Sequence, residues 1–281
     1  MLYVGCAIWA YDGWTGTFYP PALPKSARLS AYARRLTAVE VNSTFYAVPS
    51  AATVQRWAGE TPETFRFCPK FPRVITHEAR LQAVDAQTDV FLSNMRALGI
   101  RLAPLMLQLP PSFSPSERDA LAAYLRSLPR DVRVAVEVRH RDWFVPERSA
   151  QLDALLAEHG AARIAFDSRP IYASKAPEAV LSQEKKPNVP LYAKATQPFV
   201  LVRYISSPIL EENAPYLDFW SARIKTWLSE GRDVYFFAHC PREELSPFIA
   251  RTLYEHVQKQ VALPPLPWTF LDRPTAQQAL F

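Results

Sequence analysis

Eight apolar runs rich in β-branched and aromatic residues, each followed by a longer segment, constrain this chain more than any other feature. They fall at 2–8, 38–43, 65–70, 103–109, 133–140, 163–167, 199–204 and 233–239. Helical patterns are expected at 28–36, 50–58, 79–98, 115–128, 147–159, 214–230 and 246–260. Strands that alternate with helices pair in parallel, because each helix carries the chain back across the sheet. Eight such units in 281 residues predict one α/β domain over 1–281, a TIM-like (β/α)8 barrel in preference to an open doubly wound sheet. Gly59, Gly99, Gly160 and Gly231 stand at the ends of expected helices, where a left-handed residue turns the chain back. Ser114-Pro115-Ser116-Glu117 reads as a helix start with a capping box. The sixth interval, 168–198, is rich in proline and lysine and is expected to be a long loop over the mouth of the barrel. A proline-rich tail follows at 263–281.

The fifth run, "VAVEVRHRDWF", states where the chemistry lies. Val134, Val136 and Val138 share one face of a strand of period two, and Ala135, Glu137 and Arg139 share the other. Valines toward the surrounding helices put the acid and the base inside, near the trailing end. Other strands repeat the device with Glu40, Asn42, Lys70, Gln108, Asp167, Arg203 and His239. Barrel enzymes build their sites at that end, whereas a packed interior alone favours branched apolar residues. Each charge taken singly also fits a structural ion pair, Glu137 with Arg203 or Arg139 with Asp167; the whole set asks for more. Lys70, Arg139 and Arg203 suit a phosphate or carboxylate. Glu137 and Asp167, with Lys70, are the candidates for acid–base work. Gln108, Asn42, Glu40 and His239 would orient the substrate. Trp9, Tyr11, Tyr46 and Trp143 lie just beyond strand ends and would stack on it, or else plug the rim.

Composition narrows the classes. Charge is mildly basic, with a net +5 and a pI near 9.1, which suits an anionic substrate or nucleic acid without demanding either. Cys6, Cys68 and Cys240 show no CxxC spacing and leave an odd count, so a reducing compartment is expected. Asp12 interrupts the apolar start early, and no stretch approaches the roughly 20 apolar residues of a membrane span. A cytoplasmic protein without membrane association is expected. No Walker A loop, GxGxxG, GxSxG or HExxH occurs, so no cofactor motif is present. Nothing in the spacing of Glu137, Asp167, His239 and Glu40 marks a metal site.

The segments "GCAIWAYDGWTGTFYP", "VEVNSTFYAVPS", "FRFCPKFPRVITH", "LQLPPSF", "VAVEVRHRDWF" and "FVLVRY" together resemble the domain-of-unknown-function family 72, the YecE-like family. The resemblance implies a TIM-like barrel and no settled activity. It departs in two places: "YISS" follows Arg203 where the family has R-x-H-G, and "FFAHCPREELSPF" replaces an asparagine-rich segment. The chain ends "QQALF", similar to the peptide by which bacterial proteins dock on the DNA sliding clamp, with Gln277, Leu280 and Phe281 as the contacts. The sequence therefore points first to an enzyme, of hydrolase or lyase/isomerase type, acting on an anionic small molecule or nucleotide-like substrate at the barrel mouth. The alternative is a repair or binding protein tethered to the clamp.

Overall fold

The apolar runs fold into short parallel strands. In the computed structural model, which describes residues 1–270, these are β1 Leu2–Cys6, β2 Ala38–Val41, β3 Arg66–Pro69, β4 Leu105–Gln108, β5 Val134–Glu137, β6 Ala162–Arg163, β7 Ala165–Asp167, β8 Phe199–Ile205 and β9 Asp233–His239. Every ladder is parallel, and helices occupy the connections, so the fold is mixed α/β. The run at 163–167 is interrupted at Ile164, whose N–H turns to the Val136 carbonyl at 2.8 Å.

A closed sheet was the expectation. Among the described residues the hydrogen bonds instead make three sheets, ordered β1-β9-β8-β7, β2-β3 and β4-β5-β6. Strands still succeed one another in chain order, with the last beside the first. At the β1/β2 seam one backbone bond, from the Thr37 N–H to the Val4 carbonyl at 3.1 Å, is followed by a side-chain bridge: the Cys6 N–H donates to the Tyr32 hydroxyl at 2.6 Å, which donates to the Ala38 carbonyl at 3.1 Å. Only glycine fits there. A Cβ on Gly5 would lie 1.9 Å from the Ala38 oxygen, a backbone atom that cannot swing away. Gly5→Ala is therefore expected to cost about 3 kcal/mol, as overpacking does. A lower urea midpoint at constant slope would show it, and an unchanged midpoint would contradict this seam. At the β3/β4 seam single bridges, Phe67 with Leu102 and Lys70 with Met106, stand in for a ladder.

The interior is layered by the period of two. Ala38, Met106, Ala135, Leu201 and Phe237 face one another in an inner apolar cluster at the leading half of the strands. Two residues further along the same faces come Glu40, Gln108, Glu137, Arg203 and His239, all buried. The alternate positions, among them Val39, Leu107, Val136, Val202 and Phe236, pack outward against the helices.

Helices form where the periodicity placed them, with two corrections. The pattern at 79–98 begins late: a short π-helix, Val74–Glu78, comes first, and the long helix starts only at Asp85–Met95. Between them Arg80, Leu81 and Ala83 hold positive φ (50°, 66° and 51°), which no right-handed helix admits. The 168–198 interval is not all loop. It contains helices Arg169–Ala173 and Pro177–Gln183, each with proline in its first turn, where the missing N–H costs nothing. The capping box at Ser114 is present as read. Cys6, Cys68 and Cys240 are buried free thiols, and no helix of the described residues is long and apolar enough to cross a membrane.

Candidate active site

Arg203, near the end of β8, sits at the centre of the polar layer. Its Nε and Nη2 donate to the two oxygens of Glu40 on β2, at 2.9 and 2.7 Å. Its Nη1 donates to Glu137 Oε2 on β5 at 2.6 Å and to Gln108 Oε1 on β4 at 3.2 Å. Arg139 closes the other side, with Nε to Glu137 Oε1 at 2.5 Å and Nη2 to Gln108 Oε1 at 2.8 Å. His239 ends β9 with Nε2 3.0 Å from Glu40 Oε2. Five strands thus bring together side chains up to 199 positions apart, as the trailing-end pattern predicted.

The two carboxylates are spent inside this layer. Burial alone would raise Glu137, but the charges of Arg139 and Arg203 outweigh it and hold the group down at about 2. Burial is likewise overcome at Glu40 by Arg203 and His239, which hold it well below the usual carboxylate range. An acid already ionised well below neutral pH, with both oxygens accepting from guanidinium groups, has no proton to give and little basicity. Glu137 positions arginines. His239 is pushed down to about 4, first by burial, so the neutral ring donates its Nε2–H to Glu40.

Above the layer opens a cleft of about 420 Å³. Its floor is Gln108, Arg139, Arg203 and His239; Asn42 and Lys70 form the walls, and the exposed Tyr46 stands at the rim. Lys70 is nearly buried, with its ammonium 3.9 Å from the centre of the Phe45 ring. No carboxylate hydrogen-bonds it among the described residues. Burial first, and then the nearby Arg203 charge, lower it from 10.5 to about 7. Three further lining residues were not anticipated: Arg73, His77 and Lys186. Arg73 and His77 follow Lys70 in the turn and π-helix after β3. Lys186 comes from the 168–198 segment, held there because the Tyr172 hydroxyl donates to the Gln183 and Lys186 carbonyls at 3.1 and 2.6 Å. Burial, then the charges of Arg203 and Arg139, lower it to about 8. The lysine pair in a segment expected over the mouth was the available signal.

Other candidates lie elsewhere. Asp167 shares the outward face of Ala165, accepts from Arg169 at 2.9 and 2.8 Å and from the Trp220 indole at 2.8 Å, and does not line the cleft; Phe166 takes the inward place beside Arg139 and Arg203. The pairing of Arg139 with Asp167 gives way to Arg139 with Glu137. Trp143 is a buried plug whose indole donates to the Phe113 carbonyl at 2.8 Å. Tyr11 stacks edge-on against Trp14 and donates to Glu244 at 2.9 Å. Trp9 borders a neighbouring pocket and not the basic cleft. Gln277, Leu280 and Phe281 lie outside the described residues. No group of three or more His, Cys, Asp or Glu poised to hold a metal occurs among those described.

Known proteins share the fold and most of the chain. The chain is 34% identical over 274 residues to the UPF0759 protein YecE of Escherichia coli K12, covering 95% of this chain and 98% of that one. It is 32% identical over 155 residues to the UPF0759 protein YunF of Bacillus subtilis, about half of each chain (52% and 53%). Crystal structures of DUF72 family proteins from Enterococcus faecalis V583 and Thermotoga maritima MSB8 superpose with TM-scores of 0.68 and 0.67 at 20% and 22% identity. They cover 94% and 92% of this chain and 97% and 99% of their own. With residues 3–271 matching the family described as protein of unknown function DUF72, the chain belongs to that family.

Proposed function

We propose that the protein is an enzyme that binds a phosphate- or carboxylate-bearing small molecule in the basic cleft and moves a proton through Lys70. In this reading the three sheets are arcs of a TIM-like barrel and the cleft is its mouth. The observation that carries it is the imbalance of charge. Lys70, Arg139, Lys186 and Arg203 border one cleft whose lining, among the described residues, holds no carboxylate, and Glu40 and Glu137 beneath it are both engaged by arginine. An incoming anion would meet oriented guanidinium groups on the floor with a nearly buried and a partly buried lysine beside them, a preorganised electrostatic trap. Lys70, lowered to about 7, exchanges its proton at neutral pH, as an acid–base catalyst must.

The reading fixes a pH dependence. The charged lysines attract the anion, so affinity for sulfate, a probe that does not itself titrate here, should be highest below pH 7. It should fall through the range of Lys70 (about 7) and Lys186 (about 8), by about tenfold or more between pH 6 and 9. Because the bound anion favours the protonated lysines, binding near pH 7.5 should take up protons. Calorimetry in buffers of different ionisation enthalpy measures both; no sulfate binding, or binding indifferent to pH, would refute the proposal.

A further inference from the structure

The basic cleft has an apolar neighbour. Asn42, which lines it, also lines a second pocket of about 110 Å³ formed by Ala7, Ile8, Trp9, Ala10 and Ser43. The Asn42 amide donates to the Ala7 carbonyl at 3.3 Å, pinning the segment after β1 to the segment after β2 and making one wall common to both spaces. The chemistry changes across that wall. On one side are cations; on the other, apart from Asn42 and Ser43, every side chain is apolar. The Trp9 ring is set in place by edge-on contacts with Trp57 and Phe67, at 5.2 and 6.4 Å between centroids. The small side chains of Ala7 and Ala10 leave the space open.

We propose that this pocket seats the apolar body of the substrate, a group about the size of one aromatic ring, while the cleft holds its anionic end. The inference rests on the anion-binding role of the cleft and specifies what the anion is attached to. The volume is of the right order, since an apolar cavity of roughly 150 Å³ accepts benzene. An apolar pocket with convergent polar groups at one edge is how small-molecule sites obtain affinity from burial and orientation from charge. The bare anion would use only half of the site.

Calorimetric titration of the full chain with two matched pairs, phenyl phosphate against methyl phosphate and phenylacetate against acetate, tests it. At least one aromatic member should bind about tenfold or more tightly than its small partner, as expected for burying a ring. Ala10→Phe, a change at an exposed lining position, should fill the pocket, remove that preference and leave the small partner's affinity within about twofold. Equal affinity within both pairs would overturn this inference and leave anion binding by the cleft standing. A preference that survives Ala10→Phe would overturn it too, by placing the ring elsewhere. No binding of any of the four would count against the cleft itself, and against this inference with it.

Discussion

Lys70→Met should make the protein more stable and weaken its binding of sulfate. The wild-type lysine is 6% exposed, and its ammonium rests on the Phe45 ring with no carboxylate hydrogen-bonded to it among the described residues. In the unfolded chain a lysine titrates near 10.4; in the fold, burial and then Arg203 bring it to about 7. Below pH 7 both states carry the proton, and the folded chain bears the whole cost of a charge kept from water. Between pH 7 and about 10 the folded state alone loses the proton, so the cost is relieved and stability rises with pH. Methionine fills similar space without the charge, and a gain of about 2 kcal/mol at pH 6 is expected, of the order found when buried charges are replaced by apolar groups. The variant should also lose the rise in stability between pH 7 and 10, and sulfate affinity should fall by about tenfold or more. Thermal melts across pH with calorimetry decide the matter. A lower melting temperature with intact sulfate binding would make Lys70 a structural residue.

Arg203→Met should have the opposite effect, and a larger one. It would leave Glu40 and Glu137, both fully buried, without the guanidinium that bridges them. Removing one partner of a buried charge network typically costs about 3–5 kcal/mol, because the remaining charge stays unpaired. The pH profile carries the same signature. Glu137 is held at about 2 against an ordinary 4.5, and Glu40 is also lowered, so their contribution is complete above pH 4.5 and is lost as pH falls from there toward 2. In the variant both carboxyls should titrate higher, moving acid unfolding to higher pH. Denaturant titrations from pH 7 down to pH 3 would record this. A variant as stable as wild type would mean that the arginine serves the ligand alone.

These outcomes separate residues that looked alike in the sequence. Glu40, Gln108, Glu137, Arg203 and His239 were legible because each stands two positions beyond an inward apolar residue, and Arg139 follows Glu137 by the same step; the period of a strand transmits that direction. The same rule places Asp167 outward, because Ala162, Ile164 and Phe166 hold the inward positions of that run; standing at the trailing end of a strand does not outweigh its phase. For Trp143 and Tyr11 the sequence leaves stacking on a substrate and plugging the rim both open, and the structure gives Trp143 as the plug. Aromatic character marks burial as readily as ligand contact, and only neighbours distinguish the two. Helices inside 168–198 were hidden because proline in a first turn and proline in a loop look identical along the chain.

Order along the chain therefore determined the parallel α/β architecture, the face on which each strand residue points and the gathering of polar groups at one end of the sheet, because periodicity and strand–helix alternation are local properties. Tertiary structure decided everything that depends on distances between strands. It spent Glu137 on two arginines, left Lys70 in the cleft with no carboxylate hydrogen-bonded to it among the described residues, brought Lys186 across from a distant segment and divided the sheet at its seams. The protonation of a buried group follows from the charges packed around it, and those neighbours come from parts of the chain that no local pattern connects.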